Sequence, residues 1–453
     1  MEREHLKSRL GFILISAGCA IGIGNVWKFP YMVGENGGGA FVLVYLICLI
    51  VLGLPVLTME FAVGRAAQKS PTRMYQALDK PAWRWHGYAA MAGNYILMMF
   101  YSVVAGWMLH YFVDMARGSF VGKNPEQVGE MFGAMMSDPV SLIVYMGIVV
   151  VFGFFVCSIG IQKGLERVTK FMMLALLAIM IILAVNSIFL DGGTEGLKFY
   201  LVPDFEKMAE IGIVNVIYAA MNQSFFTLSL GIGSMAIFGS YIGKDRALMG
   251  ESVNVVCLDT FVAVVSGLII FPACFAFGVQ PDSGPNLIFI TLPNIFNDMA
   301  MGRLWGSLFF VFMTFAAFST VLAVFENIIS CCQDLFGWSR KKTCLINCIL
   351  LFVLSLPCAL GFNVLADITP FGEGSAIMDL EDFIVSNLLL PIGSLIFVLF
   401  CTLRYGWGWD KFVAEANQGE GLKVPKWLRG YCAYVLPIII ILILVLGLYH
   451  YFA

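Results

Sequence analysis

The sequence predicts an all-α polytopic membrane protein, and three observations carry that prediction. Of 453 residues, 60% are hydrophobic and only 13% are charged, against roughly 25% charged in a soluble domain. Apolar runs of about 20 residues, long enough to cross a hydrocarbon core about 30 Å thick as a helix, recur along the whole length. Lysine and arginine collect in alternate connections, as the positive-inside rule requires.

Eleven spans follow, near residues 10–34, 39–65, 86–115, 140–158, 166–189, 212–240, 250–278, 304–334, 344–361, 378–403 and 431–452. The first is apolar except at its middle, where two glycines and an asparagine in Cys19-Ala20-Ile21-Gly22-Ile23-Gly24-Asn25 weaken the helix. Lipid offers no replacement hydrogen bonds, so freed backbone at that depth must line a cavity inside the protein. The sixth span echoes it: Ser229-Leu230-Gly231-Ile232-Gly233 resembles Ala20-Ile21-Gly22-Ile23-Gly24. Five spans separate the two breaks, and a repeat of five crosses the membrane an odd number of times, so its second copy enters inverted. The expected organisation is a cytoplasmic tail (1–9), a first repeat (10–190), an inverted second repeat (212–403), a cytoplasmic loop (404–430) and a last helix (431–453). Paired interrupted helices of this kind point to a transporter site.

The remaining elements are smaller. Asn286 to Asp298, after Pro285, is expected to form a helical extracellular cap, and Asp410 to Gln418 a short cytoplasmic helix. With the N-terminus inside, 21 of the 27 basic residues fall on the cytoplasmic side. Outside are Arg117, Lys123, Lys198, Lys207 and Arg303, and Lys28 lies within the first span. The odd count puts the C-terminus outside, and no removable signal peptide is expected. The net charge of −3 brings no basic patch for nucleic acid, and nothing calls for an obligate protein partner. The twelve cysteines lie mostly within spans, with no C-x-x-C pair, and suit buried small hydrophobes.

The chemistry is expected at the breaks. There the cytoplasmic half-helix presents its N-terminal end, or its partner a C-terminal end, so that amides suit a carboxylate and carbonyls a small cation. Asn25, Gln223, Ser224, Thr227, Ser229, Ser319 and Thr320 add uncharged oxygens, which favour a hard monovalent ion over a transition metal. Ionisable residues inside spans are few and functional by default: Lys28, Glu60, Asp259 and Glu326, with Asp334 and Asp382 near span ends. Glu60 is also read as an acceptor for unwound backbone, and Glu326 as paired locally or facing water. Asp259 stands alone in an apolar stretch and calls for a cation. A channel would need a continuous polar lining, and an enzyme convergent acid, base or nucleophile groups; neither pattern is present.

Arg9-Leu10-Gly11-Phe12, Gly22-Ile23-Gly24-Asn25-Val26-Trp27-Lys28-Phe29-Pro30, Asn36-Gly37-Gly38-Gly39-Ala40-Phe41 and Gln223-Ser224-Phe225-Phe226-Thr227-Leu228-Ser229-Leu230-Gly231 closely resemble the neurotransmitter:sodium symporter family, and its short bacterial members of the LeuT type. The likeness covers nearly the whole chain. It implies the LeuT fold and a sodium-coupled symporter of neutral hydrophobic or aromatic L-amino acids in a bacterial plasma membrane, working by alternating access with two sodium ions per substrate. It implies a first sodium site at Ala20, Asn25, Thr227 and Asp259, and a second at Gly18, Ile21, Ala316, Ser319 and Thr320. The implied substrate pocket comprises Cys19, Ala20, Ile23, Gly24, Leu97, Tyr101, Phe226, Thr227, Ser229, Ile232, Thr320 and Val324, with Tyr101 and the Gly22 to Gly24 amides taking the carboxylate. Cys19 and its neighbours include no acid for a biogenic amine.

Implied gates are Lys28 with Asp382 outside, and Arg3 with Asp334 near Ser240 and Tyr241 inside. Leu6 departs from a usual tryptophan. At the position of the family's chloride site stand Tyr45, Gln223, Asp259 and Ala263, where Ala263 replaces a serine and Asp259 an asparagine. The fixed charge of Asp259 implies transport without chloride. A proton-coupled carrier using Asp259 is the nearest rival reading.

Overall fold

A computed structural model describes residues 9–278 and 286–452, with the side chains of 450–452 left aside. Arg3, Leu6 and Pro285 lie outside the described residues. Among those described, the chain is helical, with β-pairing limited to isolated bridges such as Gly38 to Pro203.

Among the described residues, nine continuous helices are long and apolar enough to cross a membrane: α3 (Gly39–Ala67), α4 (Pro81–Arg117), α5 (Pro139–Ser158), α6 (Ile161–Ile188), α9 (Leu248–Ala276), α10 (Gly302–Phe336), α11 (Arg340–Leu360), α12 (Ile377–Thr402) and α13 (Leu428–Tyr449). A tenth is the bent pair α1 (Arg9–Ala20) and α2 (Gly24–Glu35), whose axes turn by 55° at the break. The expected sixth span is α7 (Ile213–Thr227) and α8 (Ser234–Gly239), separated by residues 228–233. Those two helices are short and are not counted among the ten, so the expected eleven rest on taking them together. Both interruptions fall where the glycines and polar residues stand.

Among the described residues six segments widen to π-helical turns, including Gly24–Lys28, Leu49–Gly53, Ile384–Leu389 and Tyr431–Val435. Each of these four ends two residues before a proline: Pro30, Pro55, Pro391 and Pro437. Proline has no N–H and its ring crowds the carbonyl four residues earlier, and a wider turn relieves both. At Pro55 the freed carbonyl belongs to Val51, and the Tyr431 hydroxyl donates to it at 2.8 Å.

The cap segment is helical, Leu287–Thr291 continuing into Leu292–Asp298 with Pro293 in its first turn, and Trp409–Ala416 forms the short helix expected near 410–418. The connections also hold helices Pro71–Ala77, Pro125–Ser137, Gly193–Leu201 and Phe205–Ile211, which the hydropathy of the spans does not reveal. One interior runs around the broken helices, and it is close-packed: Phe12, Phe29, Phe225 and Phe238 are fully buried. The exposed large hydrophobics, such as Phe152, Phe171, Ile349 and Ile438, lie on the outer faces of α5, α6, α11 and α13, as lipid contact demands.

Candidate functional site

At the first break, α1 ends on Ala20 and α2 begins at Gly24. Carbonyls therefore come from the first half-helix and amides from the second; with the N-terminus cytoplasmic, as the charges lead one to expect, the cytoplasmic half would present a C-terminal end rather than an N-terminal one. Gly22 is required there: a Cβ would lie 2.1 Å from the Tyr101 hydroxyl and 2.4 Å from Thr320 Oγ1. Those two groups occupy the space a side chain would take, and the Ile23 amide donates to the Tyr101 hydroxyl at 2.9 Å. At the second break Ser229, Gly231 and Gly233 alternate through left-handed backbone, with φ of +50°, +89° and +73°. A Cβ on Gly231 would meet the Leu390 carbonyl at 2.3 Å, so only glycine passes α12 so closely.

Glu60 on α3 accepts from the Gly231 amide, the bland role foreseen for it. Asn94 donates to the Ile232 carbonyl at 2.8 Å. Ser229 Oγ reaches the Cys19 carbonyl at 3.3 Å, linking the two breaks directly.

Two clusters of oxygens form beside the breaks. In the first, Asn25 Nδ2 donates to Asp259 Oδ1 at 2.7 Å, and Thr227 Oγ1 lies 3.2 and 3.3 Å from the two carboxylate oxygens. The Asn25 side-chain oxygen instead accepts from the Gly22 amide at 3.1 Å. Asp259 is fully buried and its hydrogen-bond partners are uncharged. In the second cluster, Ser319 Oγ lies 3.1 Å from the Ile21 carbonyl and 2.9 Å from that of Ala316. Thr320 Oγ1 lies 3.2, 3.4 and 3.3 Å from the carbonyls of Gly18, Cys19 and Ile21. Two hydroxyl hydrogens thus face four carbonyl oxygens. That surplus of buried acceptors, with no nitrogen or sulfur among them, fits a small hard cation such as sodium.

A central cavity with only about 20 Å³ of water-accessible space lies against both breaks. Of the expected pocket residues, Cys19, Ala20, Gly24, Leu97, Tyr101, Phe226, Ser229, Ile232 and Thr320 line it. Gly22, Val385 and Leu390 join them. Ile23 turns instead into a neighbouring vestibule of about 230 Å³. Thr227 and Val324 are buried off the central cavity, Thr227 against Asp259 and Val324 in the packing of α10. Val385 and Leu390 were missed by sequence reasoning because each stands among other apolar residues of α12, such as Ile384, Leu388 and Leu389, with nothing to mark which of them face the cavity.

Tyr101 and Phe226 line both chambers and form the wall between them. Lys28 stands above that wall, its Nζ 3.9 Å from the centre of the Phe226 ring and 3.4 Å from Asp382 Oδ2. The ion pair of the expected gate is therefore formed. At the opposite end, Tyr241 donates to Glu326 at 2.9 Å, and Arg340 forms a two-pronged ion pair with the same carboxylate. Glu326 is thus paired locally, one of the two readings foreseen. Asp334 accepts from the Ser70 amide at 2.7 Å; its expected partner Arg3 lies outside the described residues. Gln223 donates to the Gly24 carbonyl at 2.8 Å. Tyr45 and Ala263 are fully buried, Ala263 one turn beyond Asp259 on α9.

The family model described as "Sodium:neurotransmitter symporter family" matches residues 3–123 and 128–453. The chain belongs to the sodium:neurotransmitter symporter family. It is 36% identical over 414 residues to an uncharacterized sodium-dependent transporter, YhdH, of Bacillus subtilis, covering 91% of this chain and 90% of that one. It is 31% identical over 463 residues to an uncharacterized sodium-dependent transporter of Haemophilus influenzae, covering 99% of both. Among solved structures, MhsT in complex with L-phenylalanine superposes with a TM-score of 0.88 at 35% identity, over 98% of this chain and 99% of that one. This symporter is therefore a sodium-dependent membrane transporter with an MhsT-like fold, and it is not an enzyme.

Proposed function

We propose that this symporter couples two sodium ions to the uptake of one neutral hydrophobic or aromatic L-amino acid, such as leucine or phenylalanine, without chloride. The observation that carries the substrate class is the wall of the central cavity. Leu97, Phe226, Ile232, Val385 and Leu390 supply its apolar side, and no acidic or basic side chain lines it. An amine without a carboxylate would find no counter-charge, whereas a zwitterion could place its carboxylate at the Gly22 to Gly24 backbone and the Tyr101 hydroxyl. That MhsT is solved with L-phenylalanine supports the same class.

The Ser319–Thr320 cluster would hold one sodium between α1 and α10, with carbonyls of Gly18, Ile21 and Ala316. Asn25, Thr227, Asp259 and the Ala20 carbonyl would hold the other beside the substrate carboxylate. Coupling by shared contact is reciprocal: whatever factor sodium adds to substrate affinity, substrate adds to sodium affinity. Asp259 would supply the negative charge that chloride brings elsewhere in the family. The arrangement would be eleven spans in two inverted repeats, 10–190 and 212–403, with the N-terminus cytoplasmic. Lys28 with Asp382 would form the outer gate, and Arg3, Asp334 and Tyr241 would lie at the inner one.

Uptake of labelled leucine, phenylalanine and tryptophan into proteoliposomes, under a gradient of sodium, potassium or pH alone, tests the proposal. Uptake driven only by sodium, and unchanged when gluconate replaces chloride, is expected. Uptake driven by a pH gradient without sodium would instead make Asp259 a proton site, and collapse in gluconate would remove the chloride assignment.

A further inference from the structure

A buried chain of hydrogen bonds runs from the connecting helix Pro71–Ala77 to the wall of the central cavity. The Tyr75 hydroxyl bonds to Nδ1 of His86 on α4, and Nε2 of His86 meets the carbonyl of Gly231 at 3.1 Å. Both side chains are buried, with the rings of Phe397 and Phe400 packed edge-on against His86 and Tyr75. A carbonyl can only accept, so Nε2 carries the ring hydrogen and Nδ1 is left to accept from Tyr75. Tyr75 therefore selects the tautomer that grips Gly231.

Gly231 lies between two cavity residues, Ser229 and Ile232. Its amide is taken by Glu60 and its carbonyl by His86. The close approach of α12 blocks movement on that side. Glu60 and the glycines explain how the segment unwinds. Nothing in the sodium clusters or the gates uses His86.

We propose that His86, held in one tautomer by Tyr75, is a positioning residue for the substrate cavity: by fixing the Gly231 carbonyl it sets where Ser229 and Ile232 stand, and with them the size of side chain accepted. The inference rests on reading the central cavity as the amino-acid site. A residue that merely filled space would be replaceable by any apolar side chain of similar volume. A positioning residue needs a donor at Nε2.

Parent, H86L, H86Q and Y75F proteins in proteoliposomes are compared by sodium-driven uptake of labelled L-phenylalanine and L-alanine. The same preparations are compared by hydrogen exchange over residues 228–233, which needs no substrate. H86L is expected to raise KM for phenylalanine about tenfold, the worth of one buried hydrogen bond, with Vmax within about twofold, a changed phenylalanine-to-alanine preference and faster exchange over 228–233. The amide of H86Q restores a donor and should hold KM within about threefold of the parent; Y75F should fall between. If H86L does not fold, H86N, whose amide is too short to reach Gly231, takes its place. Unchanged exchange in the leucine or asparagine variant, or a glutamine variant as impaired as either, would overturn the proposal. A parent protein that takes up neither amino acid would sink the substrate reading, and exchange alone would then decide the role of His86.

Discussion

In the proposed sodium site between α1 and α10, Ser319 and Thr320 would carry the coupling chemistry. Each hydroxyl touches more carbonyls than it has hydrogens to give, and removing either oxygen should cost the ion one ligand. Ser319→Ala and Thr320→Ala are each expected to raise the sodium concentration for half-maximal uptake about tenfold, in line with about 1.4 kcal/mol for a polar contact, as a sodium titration of uptake would show. Gly22→Ala should nearly abolish uptake, because its Cβ would fall 2.1 Å from the Tyr101 hydroxyl. The protein should still fold with little loss of thermal stability, since the added atom enters the cavity rather than the core. A Gly22→Ala protein with normal uptake would show that Tyr101 does not need that space. At this scale the sequence was highly legible wherever a residue broke the apolar rule: Gly22, Asn25, Thr227, Asp259, Ser319 and Thr320 all meet at the breaks. Residues that obey the rule were silent. Val385 and Leu390 reach the cavity only through the packing of α12, and Ile23 faces the vestibule although its neighbours Gly22 and Gly24 face the cavity.

Helices were legible in their existence and less so in their shape. Apolar length marked every long span but not the π turns, which end two residues before Pro30, Pro55, Pro391 and Pro437 while Pro272 and Pro357 sit in unbroken α-helix. The connecting helix Pro125–Ser137 carried its own sign, a reciprocal cap in which Asn124 accepts from the Gln127 amide at 2.8 Å and the Gln127 side chain accepts from the Asn124 amide at 3.1 Å. That signal was local and polar, and a search for membrane-length runs passes over it. Removing the Tyr431 hydroxyl leaves the Val51 carbonyl without its donor, so Tyr431→Phe is expected to lose about 1 kcal/mol, read as a lower midpoint of chemical unfolding in detergent. The Glu326–Arg340 pair joins α10 to the start of α11 with the carboxylate fully buried. Arg340→Ala would strand that charge and is expected to cost about 3–5 kcal/mol, whereas the double change with Glu326→Gln should recover most of it. A double variant as unstable as the single one would mean that the arginine packs rather than neutralises.

For the whole molecule, the proposed orientation rests on charge. A cysteine placed at Lys123 should react with a membrane-impermeant maleimide in right-side-out vesicles, and one at Lys411 only after permeabilisation; the opposite pattern would invert the proposed topology. In the proposed stoichiometry, two sodium ions entering with a zwitterion would carry two positive charges, so a potential of about 100 mV would add roughly 4.6 kcal/mol, at about 2.3 per charge. What the sequence could not convey was how the interior is partitioned, because chamber volumes depend on how all the helices pack at once.

That partition has a kinetic consequence. On the vestibule side the central cavity is closed by two rings, Tyr101 and Phe226, with Lys28 resting on one of them. On the other side lie packed helix ends pinned by Tyr241, Glu326 and Arg340. Two rings can swing aside by rotation about side-chain bonds, whereas parting helix ends requires collective motion of the μs–ms kind. The two proposed gates would therefore open on different clocks, the ring wall faster than the packed helix ends.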